Sequence, residues 1–369
     1  MKHKVILVGG ARPNFMKIAP LLREFRKYKD KFVAEVVHTG QHYDYEMSKI
    51  FFEDLSINKP CYYLGVGSGS HAEQTAEIMK KFEKRCIETK PTLVVVVGDV
   101  NSTLASSIVA KKLGIEVAHI EAGLRSGDMS MPEEINRIVT DSISDFLFVT
   151  EKSAINNLEK EGKSKDRIFF VGNTMIDSLV VALKKLDNIN IKEFRASSLK
   201  KELGTYGVVT LHRPSNVDDR VQLLKIINIL NKVSHRIPLI FPMHPRTAKK
   251  IRDFSIRCSS NIYVEKPLGY LEFIFLCKNA KFVLTDSGGI QEETTFLKVP
   301  CFTLRKNTER PVTVEIGTNV LLGEDVNRLP LLINRILGKD CKHSDIPPFW
   351  DGRAAERIVQ VIKKIKNAD

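Results

Sequence analysis

The sequence predicts an α/β protein made of two doubly wound parallel sheets in succession. Short runs of continuous Val, Ile and Leu alternate with stretches of helical periodicity, as strands covered on both faces require. The alternation runs through the first half and begins again near residue 205, giving two series of similar plan. The length of 369 residues exceeds one typical core, so two domains are expected.

In the first series "KVILVGG" reads as a buried strand and "PNFMKIAPLLREFRKY" as the helix after it. "FVAEVVHTG" is the second strand, "EQTAEIMKKFEKRCIETK" an amphipathic helix, "TLVVVVGD" a fully apolar strand, "TLASSIVAKKLG" a helix and "EVAHIEAG" a strand. "PEEINRIVTDSIS" opens on Pro132 and sets Ile135, Val139 and Ile143 on one face, which predicts a helix seated on that face. "FLFVT" is a further strand and "GNTMIDSLVVALKK" the crossover. The second series runs "GVVTLHRP", "VQLLKIINILNKV", "PLIFPMHP", "IYVEKPL", "YLEFIFLCKNA", "FVLTDSGGIQEETTFLKV" and "PCFTLR", and "AAERIVQVIKKIKNAD" is a lone amphipathic helix. The expected domains are 1–172, joined by the terminal helix 353–369, and 173–352. In such sheets ligands lie beyond the C-terminal strand ends, so the cleft between two such halves is the expected site.

Hydrophobic residues at 43% and charged residues at 27% are ordinary for a soluble globular chain. No apolar run approaches the roughly 20 residues of a membrane span. "MKHKVILVGG" passes straight into a strand without a long apolar region, so a cytoplasmic protein without a signal peptide is expected, with no membrane partner. Cys61, Cys86, Cys258, Cys277, Cys301 and Cys341 form no CxxC and no zinc-finger spacing, which predicts reduced thiols and no metal site. The net charge of +13 suggests an anionic partner, but the lysines are scattered along helices without basic–aromatic interleaving, so nucleic acid is not expected.

The unusual residues cluster at strand ends. "GGARPNFMK" follows the first strand and aims Arg12 and Lys17 at an anion near a helix start; it is neither GxGxxG nor a Walker loop. Asp99 follows "VVVV", where a helix N-cap is the plain alternative. Glu121 follows "VAHI", where a carboxylate is costly unless paired or functional. Glu133 opens the next helix, where a first-turn acid favoured by the helix dipole is the alternative; Glu134, its neighbour, is expected to point elsewhere, and Asp128 to be loop surface. His212 and Arg213 end the strand "VVTL", and His244 and Arg246 repeat the pattern one strand on. "TDSGGIQEE" turns from strand to helix through Ser287, Gly288 and Gly289, a cradle of backbone N–H groups for phosphate, with Glu293 two turns on for ribose hydroxyls. Arg310 follows another strand in "TERP".

In order and register, "GARPNFMKIAPL", "HTGQHYDYEM", "GDVNST", "HIEAGLRSGD", "MPEEINR", "GNTMID", "LHRPSN", "LTDSGGIQEE" and "TERP" resemble the non-hydrolysing UDP-N-acetylglucosamine 2-epimerases across nearly the whole chain. The resemblance implies a GT-B-like fold of two Rossmann-like domains and C2 epimerisation of UDP-N-acetylglucosamine to UDP-N-acetylmannosamine through a glycal and UDP, without metal or nicotinamide. It implies a homodimer acting in cell-surface polysaccharide synthesis. Asp99, Glu121 and Glu133 are then the acid–base carboxylates, and His212 assists the leaving UDP. Arg12, Lys17 and Arg310 line the sugar–phosphate site, with His244 also on the UDP side. Ser287, Gly288 and Gly289 hold phosphate, Glu293 binds ribose and Phe273 packs on uracil. Gln41 and His42 fit a second, allosteric UDP-sugar site. Alternatives within reach of the same motifs are another UDP-HexNAc such as a 2,3-diacetamido sugar, a hydrolysing 2-epimerase, and a GT-B glycosyltransferase.

Overall fold

The computed structural model describes residues 2–40, 62–323, 325–338, 340 and 342–367. Gln41 and His42 lie outside the described residues. The chain divides into two compact units, Met1–Val180 with Pro348–Asp369, and Val181–Pro347.

In the first unit the strands are β1 (His3–Gly9), β2 (Phe32–His38), β3 (Tyr62–Tyr63), β4 (Leu93–Val97), β5 (Glu116–Ile120), β6 (Phe146–Val149) and β7 (Ile168–Phe170). They form one parallel sheet of order β3-β2-β1-β4-β5-β6-β7. The helices between them are α1 (Arg12–Arg26), α2 (His71–Thr89), α3 (Asn101–Lys112), α4 (Pro132–Ile143) and α5 (Lys152–Lys160), followed by the crossover helix α6 (Thr174–Leu186). All five residues of β4 are buried, because helices cover both faces of the strand. Helix α2 starts on a reciprocal cap: the Glu73 amide donates to Ser70 Oγ at 3.2 Å and the Ser70 amide to Glu73 Oε2 at 3.1 Å.

Helix α4 departs from its sequence pattern. Its buried residues are Glu134, Asn136, Arg137, Thr140 and Asp141, whereas Ile135 is 44% exposed and Val139 and Ile143 are only half-buried. The helix faces the sheet with its polar side because the groups it meets there, the Asp99 turn and His119, are themselves charged.

The second unit carries α7 (Arg195–Leu203), β8 (Gly207–Thr210), α8 (Pro214–Val217), α9 (Arg220–Ser234), β9 (Leu239–Pro242), α10 (Pro245–Asp253), β10 (Ile262–Glu265), α11 (Tyr270–Lys278), β11 (Phe282–Thr285), α12 (Gly288–Leu297), β12 (Cys301–Thr303), α13 (Pro311–Glu315), β13 (Asn319–Leu321) and α14 (Leu329–Leu337). Its parallel sheet has the order β10-β9-β8-β11-β12-β13. Both sheets therefore reverse direction between their first and fourth strands, β1/β4 and β8/β11, which is the topological switch point where ligands bind doubly wound sheets. The chain then returns to the first unit as α15 (Ala354–Ile365), whose first two amides donate to the Asp177 carboxylate at 3.0 and 2.7 Å.

Cys86, Cys277 and Cys301 are buried and Cys258 half-buried, all as free thiols; burial pushes Cys86 up to about 12 and Cys301 up to about 11. Among the described residues no helix is long and apolar enough to cross a membrane. No group of three or more His, Cys, Asp or Glu among them is arranged to hold a metal ion.

Candidate active site

Each switch point carries a polar constellation. In the first unit Asn14 ties the ends of β1 and β4 together. Its Oδ1 accepts from the Gly10 and Ala11 amides at 3.2 and 2.9 Å, and its Nδ2 donates to the Val97 carbonyl at 3.0 Å. Asn14 thereby starts α1 so that Arg12 and Lys17 lie on its opening turns. Lys17 is buried and donates to Glu121 Oε2 at 2.5 Å. Glu121 sits one residue past β5 with φ at +71°, a left-handed conformation rare outside glycine. Strain of this kind, held by a buried ion pair, is the mark of a side chain whose aim matters.

Asp99 stands two residues past β4, after Gly98, whose φ is also +71°. Arg137 of α4 clamps Asp99 Oδ2 from Nη2 at 2.6 Å and from Nε at 3.1 Å, and meets Glu134 Oε2 through Nη1 at 2.5 Å. Glu134 is buried and accepts from the Ser126 and Gly127 amides at 3.0 and 2.9 Å. Burial raises the pKa of Glu134, but the Ser126 and Gly127 amides and the Arg137 guanidinium outweigh it, so the net shift is downward. Glu134 thus points inward and braces the clamp, contrary to the expectation that it turns away. Glu133 is half-buried at the start of the same helix and has no hydrogen-bonding or ionic partner among the described residues. Asp128 caps its own loop, accepting from the Ser130 amide at 3.0 Å. The structure therefore brings Lys17, Glu121, Asp99 and the start of α4 together at one end of one sheet. Arg12 is exposed on the first turn of α1.

In the second unit Asp286 organises the switch point. It is completely buried and accepts from the His212 and Arg213 amides at 3.0 and 2.9 Å. Its Oδ1 lies 2.8 Å from His212 Nδ1, which fixes a ring that is 43% exposed. Burial alone would raise the Asp286 pKa, but the His212 contact and the two amides bring it below the ordinary value. His244 stands beside His212, ring centroids 6.1 Å apart. Burial, then the neighbouring His212 and Arg246, lower the His244 pKa; its Nδ1 accepts from the Arg246 amide at 3.2 Å, so the neutral ring carries its proton on Nε2 as a donor.

Ser287 ends the β11 turn, its amide donating to Thr285 Oγ1 at 3.0 Å, and α12 begins at Gly288. A Cβ on Gly288 would stand 2.8 Å from Arg310 Nη1 and 2.9 Å from Glu309 Oε1, so the bare glycine lets these side-chain ends lie close against the helix start. Arg310 is buried and shared between Glu309, at Nη1, and Glu292, whose Oε1 lies 2.7 Å from Nε as an ionic contact outside hydrogen-bond alignment. Gly289 follows on the first turn. One turn along, Glu293 Oε1 accepts from the Tyr270 hydroxyl at 3.0 Å, and half-buried Phe273 stands one turn after Tyr270 on α11.

Sequence reasoning assigned no role to Asn14, Arg137, Glu134, Asp286, Glu292 or Glu309. The legible trace was polar residues recurring at helical spacing on α4, at 134, 137 and 141, and an Asp directly before the glycine turn.

Two doubly wound units, one bearing paired carboxylates and cations at its switch point and the other a glycine helix start with arginine and histidines, define the class of enzymes that act on nucleotide-activated sugars. The family description "UDP-N-acetylglucosamine 2-epimerase" matches residues 24–363. A UDP-N-acetylglucosamine 2-epimerase of Methanocaldococcus jannaschii is 44% identical over 98% of this chain and 99% of its own length. A crystal structure of the Methanocaldococcus jannaschii UDP-GlcNAc 2-epimerase in complex with UDP-GlcNAc and UDP superimposes with a TM-score of 0.88 at 42% identity, covering 99% of this chain and 100% of that one. A UDP-2,3-diacetamido-2,3-dideoxy-D-glucuronate 2-epimerase of Pseudomonas aeruginosa is 38% identical over 98% of this chain and 100% of its own. The chain belongs to the UDP-N-acetylglucosamine 2-epimerase family and is an isomerase with the GT-B-like fold.

Proposed function

We propose that the protein interconverts UDP-N-acetylglucosamine and UDP-N-acetylmannosamine by elimination and re-addition. A carboxylate removes the C2 proton while the C1–O bond to UDP breaks, leaving a C1=C2 double bond in 2-acetamidoglucal. A proton then returns to the opposite face of C2 as the UDP oxygen re-forms the bond to C1. The C2 proton has no adjacent carbonyl, so the barrier falls only if the departing diphosphate is stabilised strongly.

The observation that carries the reading is the division of labour. The first unit supplies carboxylates fixed by cations, Glu121 by Lys17 and Asp99 by Arg137. Glu133 is a third carboxylate not tied up by a partner among the described residues. Asp99, Glu121 and Glu133 are assigned the proton transfers at C2. The second unit supplies the anion cradle: Ser287, the amides at Gly288 and Gly289, Arg310, His244 as a neutral donor, and His212, which Asp286 holds and to which assistance of the departing oxygen is assigned. Arg12 supplies a further cation for the diphosphate, Glu293 takes the ribose hydroxyls, and Phe273 stacks on uracil. The family resemblance further supports a cytoplasmic homodimer that feeds cell-surface polysaccharide synthesis.

Turnover of UDP-N-acetylglucosamine in D₂O tests the reaction: one deuterium is expected at C2 of both sugars at equilibrium, read by NMR. Epimerisation without exchange would overturn the mechanism, and irreversible release of UDP with free N-acetylmannosamine would mark a hydrolase. The relative at 38% identity that acts on a diacetamido glucuronate makes that sugar the second substrate to assay.

A further inference from the structure

Behind the two carboxylate turns of the first unit lies a charged group with no part in the proposed proton transfers. His119 and Asp141 are both completely buried, 0% and 0% exposed. His119 Nδ1 lies 2.6 Å from Asp141 Oδ1, and Nε2 lies 2.9 Å from the Gly98 carbonyl oxygen. Both partners are oxygen atoms, so the ring is tied at each of its nitrogens. The second oxygen of Asp141 accepts from the Gly123 amide at 3.0 Å and meets the Arg125 guanidinium at 2.8 Å. Arg125 in turn pairs with Glu161 at 2.7 Å.

A buried charged group adds little to stability over a well-packed apolar one, so its placement needs another reason. Its bonds supply one. The Gly98 carbonyl belongs to the peptide that leads into Asp99. Gly123 closes the turn in which Glu121 takes its left-handed conformation, and it leaves no room for a Cβ, which would stand 2.4 Å from the Ala154 carbonyl oxygen. One dyad therefore grips both turns that carry the reactive carboxylates.

We infer that His119 and Asp141 are positioning residues for the epimerisation: they lock the Asp99 and Glu121 turns into one block, so that the two carboxylates keep a fixed spacing while the C2 proton is removed from one face and returned to the other. The inference rests on the proposed reaction. A misplacement of about 1 Å in such a pair costs rate far more than binding, because it acts on the transition state alone.

The test compares Asp141→Asn and His119→Gln with the unaltered protein, counting folded sites by titration with UDP. The kcat per site is expected to fall about 10- to 100-fold while KM for the UDP-sugar and Kd for UDP stay within about threefold. Arg125→Gln, at the outer end of the group, is expected to lower kcat about threefold in the same pattern. An unchanged kcat per folded site in Asp141→Asn, or a loss confined to KM, overturns the inference. If neither dyad variant folds, Arg125→Gln decides, and an unchanged kcat in it overturns the inference. Failure of the unaltered protein to exchange deuterium at C2 is a different result, and it refutes the reaction itself.

Discussion

Lys17 and Glu121 form an ion pair whose side chains are 6% and 3% exposed, so each protects the other from an unpaired burial. Lys17→Met is expected to destabilise the protein by about 3 kcal/mol, because the buried Glu121 carboxylate then loses the Lys17 cation. Adding Glu121→Leu should restore most of that loss in urea melts and none of the activity. Should the double variant be no more stable than Lys17→Met, the pair is not what holds the turn. Gly288 makes a second residue-scale case. A methyl there stands where Arg310 and Glu309 now approach, so Gly288→Ala is expected to weaken UDP binding about tenfold by calorimetry with the melting temperature nearly unchanged. The positions of Asp99, Glu121, His212 and Ser287 at strand ends were legible because the switch-point rule needs only the order of strands. Their partners were not. Arg137 reaches Asp99 from 38 residues away and Asp286 grips His212 from 74, and no local pattern encodes such pairs.

At the scale of the element, strands were the most legible part, since continuous Val and Ile between helices leave little choice of partner. Helix α4 was legible in place and length and misread in face. Periodicity assigns the apolar stripe to the core on the assumption that the core is apolar. Here the sheet offers α4 the Asp99 turn and the His119 ring, and the polar stripe answers them. The consequence is measurable. Ile135→Ser is expected to change stability by less than about 0.5 kcal/mol, whereas Thr140→Asn, at a completely buried position of the opposite stripe, should cost about 2 kcal/mol through overpacking. Comparable losses in the two variants would show that the stripe at 135 is covered in solution.

For the molecule as a whole, the chain leaves the first unit near Val180 and returns to it at Pro348, so that unit is completed only by its last 22 residues, and the return is secured by a few groups. Trp350, the single tryptophan of the sequence, is 1% exposed and donates from Nε1 to the Thr150 carbonyl at 3.1 Å. Its fluorescence therefore reports whether the return is docked. Four residues later α15 starts on Asp177, whose pKa burial pushes up from 3.8 to about 6 against the pull of the Ala354 and Ala355 amides. The sign follows from linkage. The folded state binds this proton more tightly than the unfolded chain does, so the group favours folding at low pH, and that contribution disappears as pH rises from 3.8 through about 6. Asp177→Asn cannot ionise. In urea melts followed by Trp350, the unaltered protein is expected to lose about 2–3 kcal/mol relative to Asp177→Asn between pH 4 and pH 7. Asn offers one acceptor oxygen where the carboxyl group offers two, so the variant also starts lower at pH 4, by about 1 kcal/mol for the weakened cap. Parallel curves for the two proteins across that range would mean that Asp177 stays ionised when docked, and that the amides of α15 outweigh its burial.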